Sequence, residues 1–369
     1  MKNRKLRVGV IFGGKSGEHE ISLVSARSIM GVMDREKFQV VPIGIDKQGR
    51  WLTQGDPMRL LSDNTGLARG EQHRSFTSAE DRRRELIPGT EEAGFPEVDV
   101  VFPVLHGPYG EDGTVQGLLE LANIPYVGCG VLASAAGMDK AIAKSLFIAH
   151  GLPILPYQVA LRKVWEANPK QVLEELEAVL SYPMFVKPAN LGSSVGVSKA
   201  RNRQELIAGL DDAARYDRKL IIEQGIDARE IECSVLGNDE PIASVPGEIV
   251  PCNEFYDYEA KYLAGESELL IPAPISPELT EQVQALSVAA FKALDGAGMA
   301  RVDFLLDRNS EQLYLNEVNT IPGFTEISMY PKLWEASGIS YGELIERLID
   351  LALERHSDKA RSLTSYQPR

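Results

Sequence analysis

Cysteine is scarce in this chain: Cys129, Cys233 and Cys252 are the only three among 369 residues. They are odd in number, far apart and form no C-x-x-C pair. A disulfide framework and a thiolate zinc site are therefore excluded, which fits a reducing cytoplasm. No apolar run approaches the roughly 20 residues needed to span a bilayer, so no membrane partner is expected. Met1 to Arg7 is basic and Val8 to Phe12 apolar, but Gly13-Gly14 ends that run. It falls short of the about 7–15 apolar residues of a secretory signal and reads instead as a first buried strand. Basic excess is lacking too: 39 Lys and Arg face 53 Asp and Glu, for a net charge of −14. A nucleic-acid partner would call for a basic face, so none is expected. An anionic substrate is not excluded, because a few lysines and metal ions can set the field inside one cleft. Internal repeats and low-complexity tracts are absent.

What is present is an ordinary globular composition, 44% hydrophobic and 25% charged, on a chain long enough for two or three domains. Apolar runs at Val8–Phe12, Phe38–Ile45 and Val98–Val104 alternate with helical patterns, including Thr114–Ala122. This predicts an open, mostly parallel α/β domain, with a brief strand at Tyr126-Val127. The polar stretch Asp56–Gly94 reads as a surface insertion. Asp139 is placed to cap a helix through Ala149, with Gly151 just past its end. Strands near Tyr157–Leu161, Met184–Lys187, Lys219–Glu223 and Glu230–Leu236, with helices at Pro169–Leu180 and Arg203–Arg215, predict an α+β block. The Gly-, Tyr- and acid-rich stretch Gly247–Glu268 is long for a connection and reads as a lid. A helix at Pro277–Leu294, strands at Met299–Leu306 and Gln312–Val318 joined by a turn, and a helix at Tyr341–His356 complete the chain.

Chemistry-bearing residues gather in a few places. In Ala-Arg301-Val-Asp303-Phe and Asn-Glu317-Val-Asn319, residues two apart share one strand face. Paired in register, the two segments would bring three oxygen ligands and a guanidinium together, which suits magnesium; equally, they could be a solvated face with ordinary ion pairs. Lys187 ends a strand before Gly192-Ser193-Ser194-Val195-Gly196, either a phosphate cradle or a flexible hairpin. His106, in Leu-His-Gly before Gly110-Glu-Asp-Gly-Thr, lies at the carboxyl edge of an apolar strand, where open α/β sheets bind ligands; a packed histidine beside a capping loop is the other reading. Gly9-Val-Ile-Phe-Gly-Gly-Lys15-Ser16 matches the P-loop spacing. The apolar run spans its first glycine, which leaves almost no strand upstream, so the match reads as accidental.

Together these segments resemble the D-alanine–D-alanine ligases of the ATP-grasp superfamily. The resemblance is carried nearly end to end by GGKSGEHEISLVSA, FPVLHGPYGEDGTVQG, GVLASAAGMDK, FVKPANLGSSVGVSK, NEFYDYEAKY, ARVDFLL and NEVNTIPGFTEISMYPKLW. It implies a Rossmann-like open parallel-sheet domain over residues 1–137, followed by two α+β ATP-grasp domains at 138–235 and 236–369. It implies ATP-dependent ligation of two D-alanine molecules through an acyl phosphate for peptidoglycan synthesis, in a cytoplasmic homodimer. Lys140, Lys187 and Ser194 are implied to hold ATP phosphates. Glu223, Gln224 and Ile226 would read adenine and Glu230 the ribose. Gln224 replaces a lysine of some relatives. Asp303, Glu317 and Asn319 would ligate two magnesium ions, for which manganese can substitute. Glu18, helped by His106, would hold the first D-alanine's ammonium. Arg301 and the Gly323 N–H would bind the carbonyl oxygen, and Ser328 and Met329 the second carboxylate. Lys261, on the ATP side, and Tyr262 fall on the lid, with Tyr262 completing a triad with Glu18 and Ser193. Tyr262 also favours an amine acceptor over the rival D-lactate. Rivals of another class are a P-loop phosphotransferase using Lys15 and a non-catalytic nucleotide-binding regulator.

Overall fold

The computed structural model describes residues 4–53, 55–62, 96–250 and 268–363. The chain opens with β1 (Leu6–Gly13), α1 (His19–Val32), β2 (Phe38–Ile45), β3 (Trp51–Leu52), α2 (Pro57–Ser62) and β4 (Val100–Val104). Three helices follow: α3 (Thr114–Leu121), α4 (Val131–Met138) and α5 (Lys140–Ala149). Next come β5 (Tyr157–Leu161), α6 (Arg162–Ala167), α7 (Pro169–Val179), β6 (Met184–Pro188), β7 (Ser198–Ala200), α8 (Arg203–Tyr216) and β8 (Lys219–Gln224). The last third holds β9 (Ala228–Gly237), β10 (Ile242–Ala243), β11 (Gly247–Val250), β12 (Glu268–Leu270), α9 (Pro277–Ala293), β13 (Gly298–Asp307), β14 (Leu313–Asn319), α10 (Met329–Ala336) and α11 (Tyr341–Lys359).

These strands form three sheets. The first has order β3-β2-β1-β4, with β1 parallel to β2 and β4 and only β3 reversed; Tyr126 extends it by a parallel bridge to Val101. The second, β5-β8-β6-β7, and the third, β12-β11-β9-β13-β14 with β10 on β9, are antiparallel. An alternating α/β unit thus precedes two α+β units, as the pattern of apolar runs predicts. The 138–235 stretch is shared between sheets. Its middle builds the second, while β9 pairs with β13 and α5 packs Ala143 and Phe147 into the third sheet's core with Val302, Phe304 and Phe291.

Strand periodicity decides how the first sheet is covered. Val8, Val10 and Phe12 of β1 face a core shared with Ala26 and Ile29 of α1 and with Leu344, Ile345, Leu348 and Ile349 of α11. Ile11 faces the other way, onto Ile43, Val101, Val115 and Leu119. Gly9 lies inside this strand. A Cβ there would sit 2.9 Å from Val98 Cγ1 and 3.2 Å from Ile43 Cδ1, so glycine is required by packing. The strand runs on to Gly13, so the residues between the two glycines of the P-loop-like string are sheet and cannot wrap a phosphate. Gly13 and Gly14, at φ +93° and +98°, then turn the chain off the sheet, and Lys15 stands over the Tyr109 ring at 5.9 Å.

Helix ends follow their caps. Asp139 accepts from the Ala141 and Ile142 N–H groups at 3.2 Å, and Gly151 adopts φ +70° beyond α5. Ser276 and Ser340 cap α9 and α11 in the same way. At the α3 start Gly113 occupies the cap position, and Asp112 closes the preceding turn through Tyr109 N and Thr114 N. The stretch expected to be a lid begins and ends as a β-ribbon, β11 against β12. Residues 251–267, with Lys261 and Tyr262, lie outside the described residues, as do residues 63–94 of the insertion.

Candidate active site

The β13–β14 pair forms the floor of the site. Arg301 is the cross-strand partner of Asn319, and Asp303 that of Glu317, with a bulge after Asp303. Val302 and Phe304 point into the core of the third sheet, so all four polar side chains share the other face. Asp303 Oδ1 accepts from Arg301 Nε at 2.7 Å; its Oδ2 accepts from Arg301 Nη2 and Asn319 Nδ2, both at 2.8 Å. Glu232 Oε2, from neighbouring β9, lies 2.9 Å from Arg301 Nε. Burial opposes the Arg301 charge, but Asp303 and Glu232 outweigh it and hold the pKa well above the ordinary arginine value. Glu317 Oε2 lies 3.5 Å from Lys140 Nζ. Among the described residues no three His, Cys, Asp or Glu side chains cluster as a metal cage. Two carboxylates and an amide oxygen are a hard, incomplete donor set, which fits a magnesium ion that keeps waters and substrate phosphates.

Lysines line the wall above. Lys187, near the end of β6, donates to Glu223 Oε2 at 2.7 Å, and Lys144 Nζ lies 3.2 Å from Glu223 Oε1. Burial pushes the Glu223 pKa up, but the two ammonium charges prevail and hold it at about 2. Lys140, at the start of α5, donates to Leu191 O at 2.9 Å, anchoring the Gly–Ser loop. In that loop Ser193 and Ser194 take φ +53° and +58°, a left-handed geometry that costs non-glycine residues energy. The Ser193 hydroxyl donates to Glu18 Oε1, joining the loop to the first unit.

Glu18 stands just before α1, where the double-glycine turn delivers it. Its Oε2 hangs over Gly107, where a Cβ would come within 2.8 Å. His106, at the end of β4, is buried; its Nδ1 is 3.1 Å from Ile321 O. A carbonyl only accepts, so Nδ1 carries the proton. Burial drives the His106 pKa down despite the nearby Glu18 charge, so the ring is neutral. At the far end, Ser328 Oγ accepts from Thr325 N at 3.0 Å and would lie 3.1 Å from a Cβ on Gly323. Met329 packs its side chain with Ile249 and Leu333, which leaves its backbone N–H, in the first turn of α10, as its polar group. Gln224 spends its side chain on the Ser181 backbone, with bonds of 2.8 and 2.9 Å. Ile226, in the β8–β9 turn, and Glu230, on β9, are half-buried. Hydrogen bonds, ion pairs and charge–charge interactions thus link Arg301, Asp303, Asn319, Glu317, Lys140, Lys187, Glu223, Glu230, Glu18, Ser193 and His106, while Gly323 and Ser328 lie against each other and the Gln224 side chain turns to Ser181.

Sequence reasoning passed over three charged residues here. Glu111 accepts from Gly107 N at 2.9 Å, and burial together with the Glu18 charge pushes its pKa up to about 8. Lys144 is one helical turn from Lys140, a spacing that puts both on one face. Glu232 follows Glu230 at strand spacing, but its meeting with Arg301 depends on the β9–β13 register.

The fold has close counterparts. It superposes with a TM-score of 0.78 on the D-alanine–D-alanine ligase of Coxiella burnetii, at 36% identity over 97% of this chain and 96% of that one. It superposes with a TM-score of 0.79 on the VanG D-Ala:D-Ser ligase of Enterococcus faecalis, at 36% identity over 95% and 100%. Fold and site together define an ATP-grasp ligase. Residues 7–129 match the family model described as D-ala D-ala ligase N-terminus, and residues 146–350 that of the C-terminus. A D-alanine–D-alanine ligase of Heliobacterium modesticaldum is 58% identical over 99% of both chains, and one of Thermoanaerobacter sp. is 55% identical over 97% and 99%. The chain belongs to the D-alanine–D-alanine ligase family.

Proposed function

We propose that this cleft condenses two D-alanine molecules to D-alanyl-D-alanine at the expense of ATP, through an acyl phosphate, as a step in peptidoglycan synthesis. The observation that supports the reading most is the register of β13 and β14, which sets Arg301, Asp303, Glu317 and Asn319 on one face within reach of Lys140.

ATP phosphates lie between Lys140, Lys187 and the Ser194 loop, adenine against Glu223, the Gln224 backbone and Ile226, and ribose on Glu230. Asp303, Glu317 and Asn319 would hold magnesium, as two ions or manganese in their place, which when bound offsets phosphate charge. Glu18 takes the ammonium of the first D-alanine, and the neutral His106 walls that pocket without adding a competing cation. The first carboxylate oxygen attacks the γ-phosphorus and ADP leaves, so the poor oxide leaving group becomes phosphate. The second D-alanine sets its carboxylate on the Ser328 hydroxyl and the Met329 N–H. Its amine, after giving up a proton, attacks the acyl carbon; the C–N bond forms and inorganic phosphate departs. Negative charge building on the carbonyl oxygen meets Arg301 and the Gly323 N–H. Glu18 and Ser193 stand where that proton leaves. Tyr262 and Lys261 belong to a lid that keeps water from the acyl phosphate.

The three sheets support a three-domain division close to 1–137, 138–235 and 236–369, with the second boundary drawn back to the β8–β9 turn because β9 pairs with β13. A cytoplasmic homodimer is part of the same reading. No described helix is long and apolar enough to cross a membrane, and Leu121 and Leu132 are exposed on the neighbouring helices α3 and α4.

The test is ADP release with ATP and magnesium, offering D-alanine, L-alanine, or D-alanine with D-lactate, with products identified by mass. D-alanine alone gives the dipeptide, and Lys187→Ala slows its formation and raises KM for ATP. Depsipeptide as the main product would shift the assignment to a D-lactate acceptor. ATP binding with no substrate-dependent ADP release would leave a regulator.

A further inference from the structure

We infer that Lys144 is a positioning residue of the nucleotide site: it is the second counter-ion of Glu223, and by sharing that carboxylate it leaves Lys187 able to turn to the phosphates. The inference rests on the ATP-site reading above and adds a residue to which that reading gives no role.

Lysine is almost never fully buried unless paired, and the Lys144 side chain is only 2% exposed. Its ammonium reaches two partners on two different sheets. Glu223 Oε1, on β8, lies 3.2 Å away, and Asn316 O, on β14, accepts at 3.2 Å. The other oxygen of Glu223 is held by Lys187 at 2.7 Å. One carboxylate therefore stands between two ammonium groups, and the trio carries a net positive charge.

To meet a phosphate, Lys187 would loosen or give up its 2.7 Å contact with Glu223. Were Lys187 the sole partner, its departure would strand a buried, unpaired carboxylate, the costly case for a buried ion pair. With Lys144 in place, Glu223 keeps a partner throughout. Lys144 cannot make the same move, because Asn316 O holds it on the side of β14. A plain staple between sheets would have no reason to share the oxygens of one carboxylate with Lys187. Burial, with the Lys187 charge, lowers the Lys144 pKa, and the Glu223 carboxylate opposes that shift.

The experiment compares Lys144→Met, which keeps length and apolar packing, with Lys187→Met and Lys144→Arg in the full-length protein. Initial rates are measured as ATP and D-alanine are varied separately, and inorganic tripolyphosphate, which has no adenine, is used as an inhibitor. Lys144→Met is expected to raise KM for ATP and weaken tripolyphosphate inhibition at least tenfold, with KM for D-alanine within twofold, and Lys144→Arg to recover most of the loss. A folded Lys144→Met with KM for ATP within twofold of the parent, while Lys187→Met raises it, overturns the inference and leaves the site reading intact. If Lys187→Met also leaves KM for ATP unchanged, the site reading itself fails. Should Lys144→Met not fold, the charge-balanced Lys144→Met/Glu223→Gln decides. With no carboxylate to hold Lys187, its tripolyphosphate inhibition should stay within threefold of the parent's. A tenfold weakening there would mean that Lys144 acts directly and not through Glu223.

Discussion

Exchange of Arg301 for lysine separates the two tasks of this guanidinium. It braces Asp303 with a two-pronged contact at 2.7 and 2.8 Å and lies 2.9 Å from Glu232. Those contacts use Nε and Nη2, and in the proposed mechanism the same guanidinium also meets the carbonyl oxygen. A lysine keeps one positive charge between the two carboxylates but has no fork. It therefore loses a hydrogen bond's worth of stability, about 1 kcal/mol, and the second donor altogether. Removing one donor to a developing oxyanion typically costs about 2.7–4 kcal/mol, or roughly 10²–10³ in kcat. Arg301→Met removes the charge as well, strands the buried Glu232 carboxylate, leaves the half-buried Asp303 with Asn319 alone, and costs about 3–5 kcal/mol of stability. Urea midpoints and ADP-release rates at saturating ATP and D-alanine measure both effects. Arg301→Lys should lose activity far out of proportion to stability, and Arg301→Met should lose both. A lysine variant that keeps kcat within threefold would refute the double role.

Three further outcomes follow from the geometry. Lys15→Ala should leave turnover unchanged, whereas Gly9→Ala, whose Cβ meets Val98 at 2.9 Å, should cost about 1–3 kcal/mol of stability through overpacking; loss of turnover in a folded Lys15→Ala would revive the P-loop reading. Burial lowers the His106 pKa in the folded state, so below the unfolded value the unfolded chain binds a proton that the folded one refuses. Stability should fall as pH drops from 7 to 5, by at most about 1.4 kcal/mol per unit from this group, and His106→Gln should reduce that slope in urea titrations. Glu111 has the opposite sign. Its folded pKa of about 8 exceeds the unfolded value, so its contribution is complete below the unfolded pKa and is lost as pH climbs to 8. Glu111→Gln, which keeps the Gly107 contact, should be more stable than the parent at pH 8 by on the order of 1 kcal/mol, and an unchanged midpoint there would contradict the raised pKa.

What was legible in the sequence depended on local periodicity and caps. Alternation in Ala300–Phe304 and Leu315–Asn319 announced a hairpin with its polar residues on one face, and the register then paired them as expected. Asp139 and Gly151 marked both ends of α5. The apolar run through Gly9 argued correctly against a phosphate loop. Contacts fixed by distant partners were not legible. Strands β10, β11 and β12 are two to four residues long and exist because they pair. Helix α10 is short and carries Pro331 in its first turn, so it shows little helical pattern. Glu232 meets Arg301, and Lys144 meets Glu223, through long-range packing between sheets, for which no nearby residue gives a sign.

The sharing of one core by β1 and α11 has a consequence for how the protein is made. Val8, Val10 and Phe12 leave the ribosome about 330 residues ahead of Leu344, Ile345, Leu348 and Ile349. At about 5–20 residues per second, the first sheet waits on the order of tens of seconds with that apolar face covered only in part, by α1. A strand made early is thus finished late. During that interval the nascent chain presents a natural docking point for a chaperone, and a truncation that removes α11 would strand the amino terminus rather than merely trim the carboxyl end.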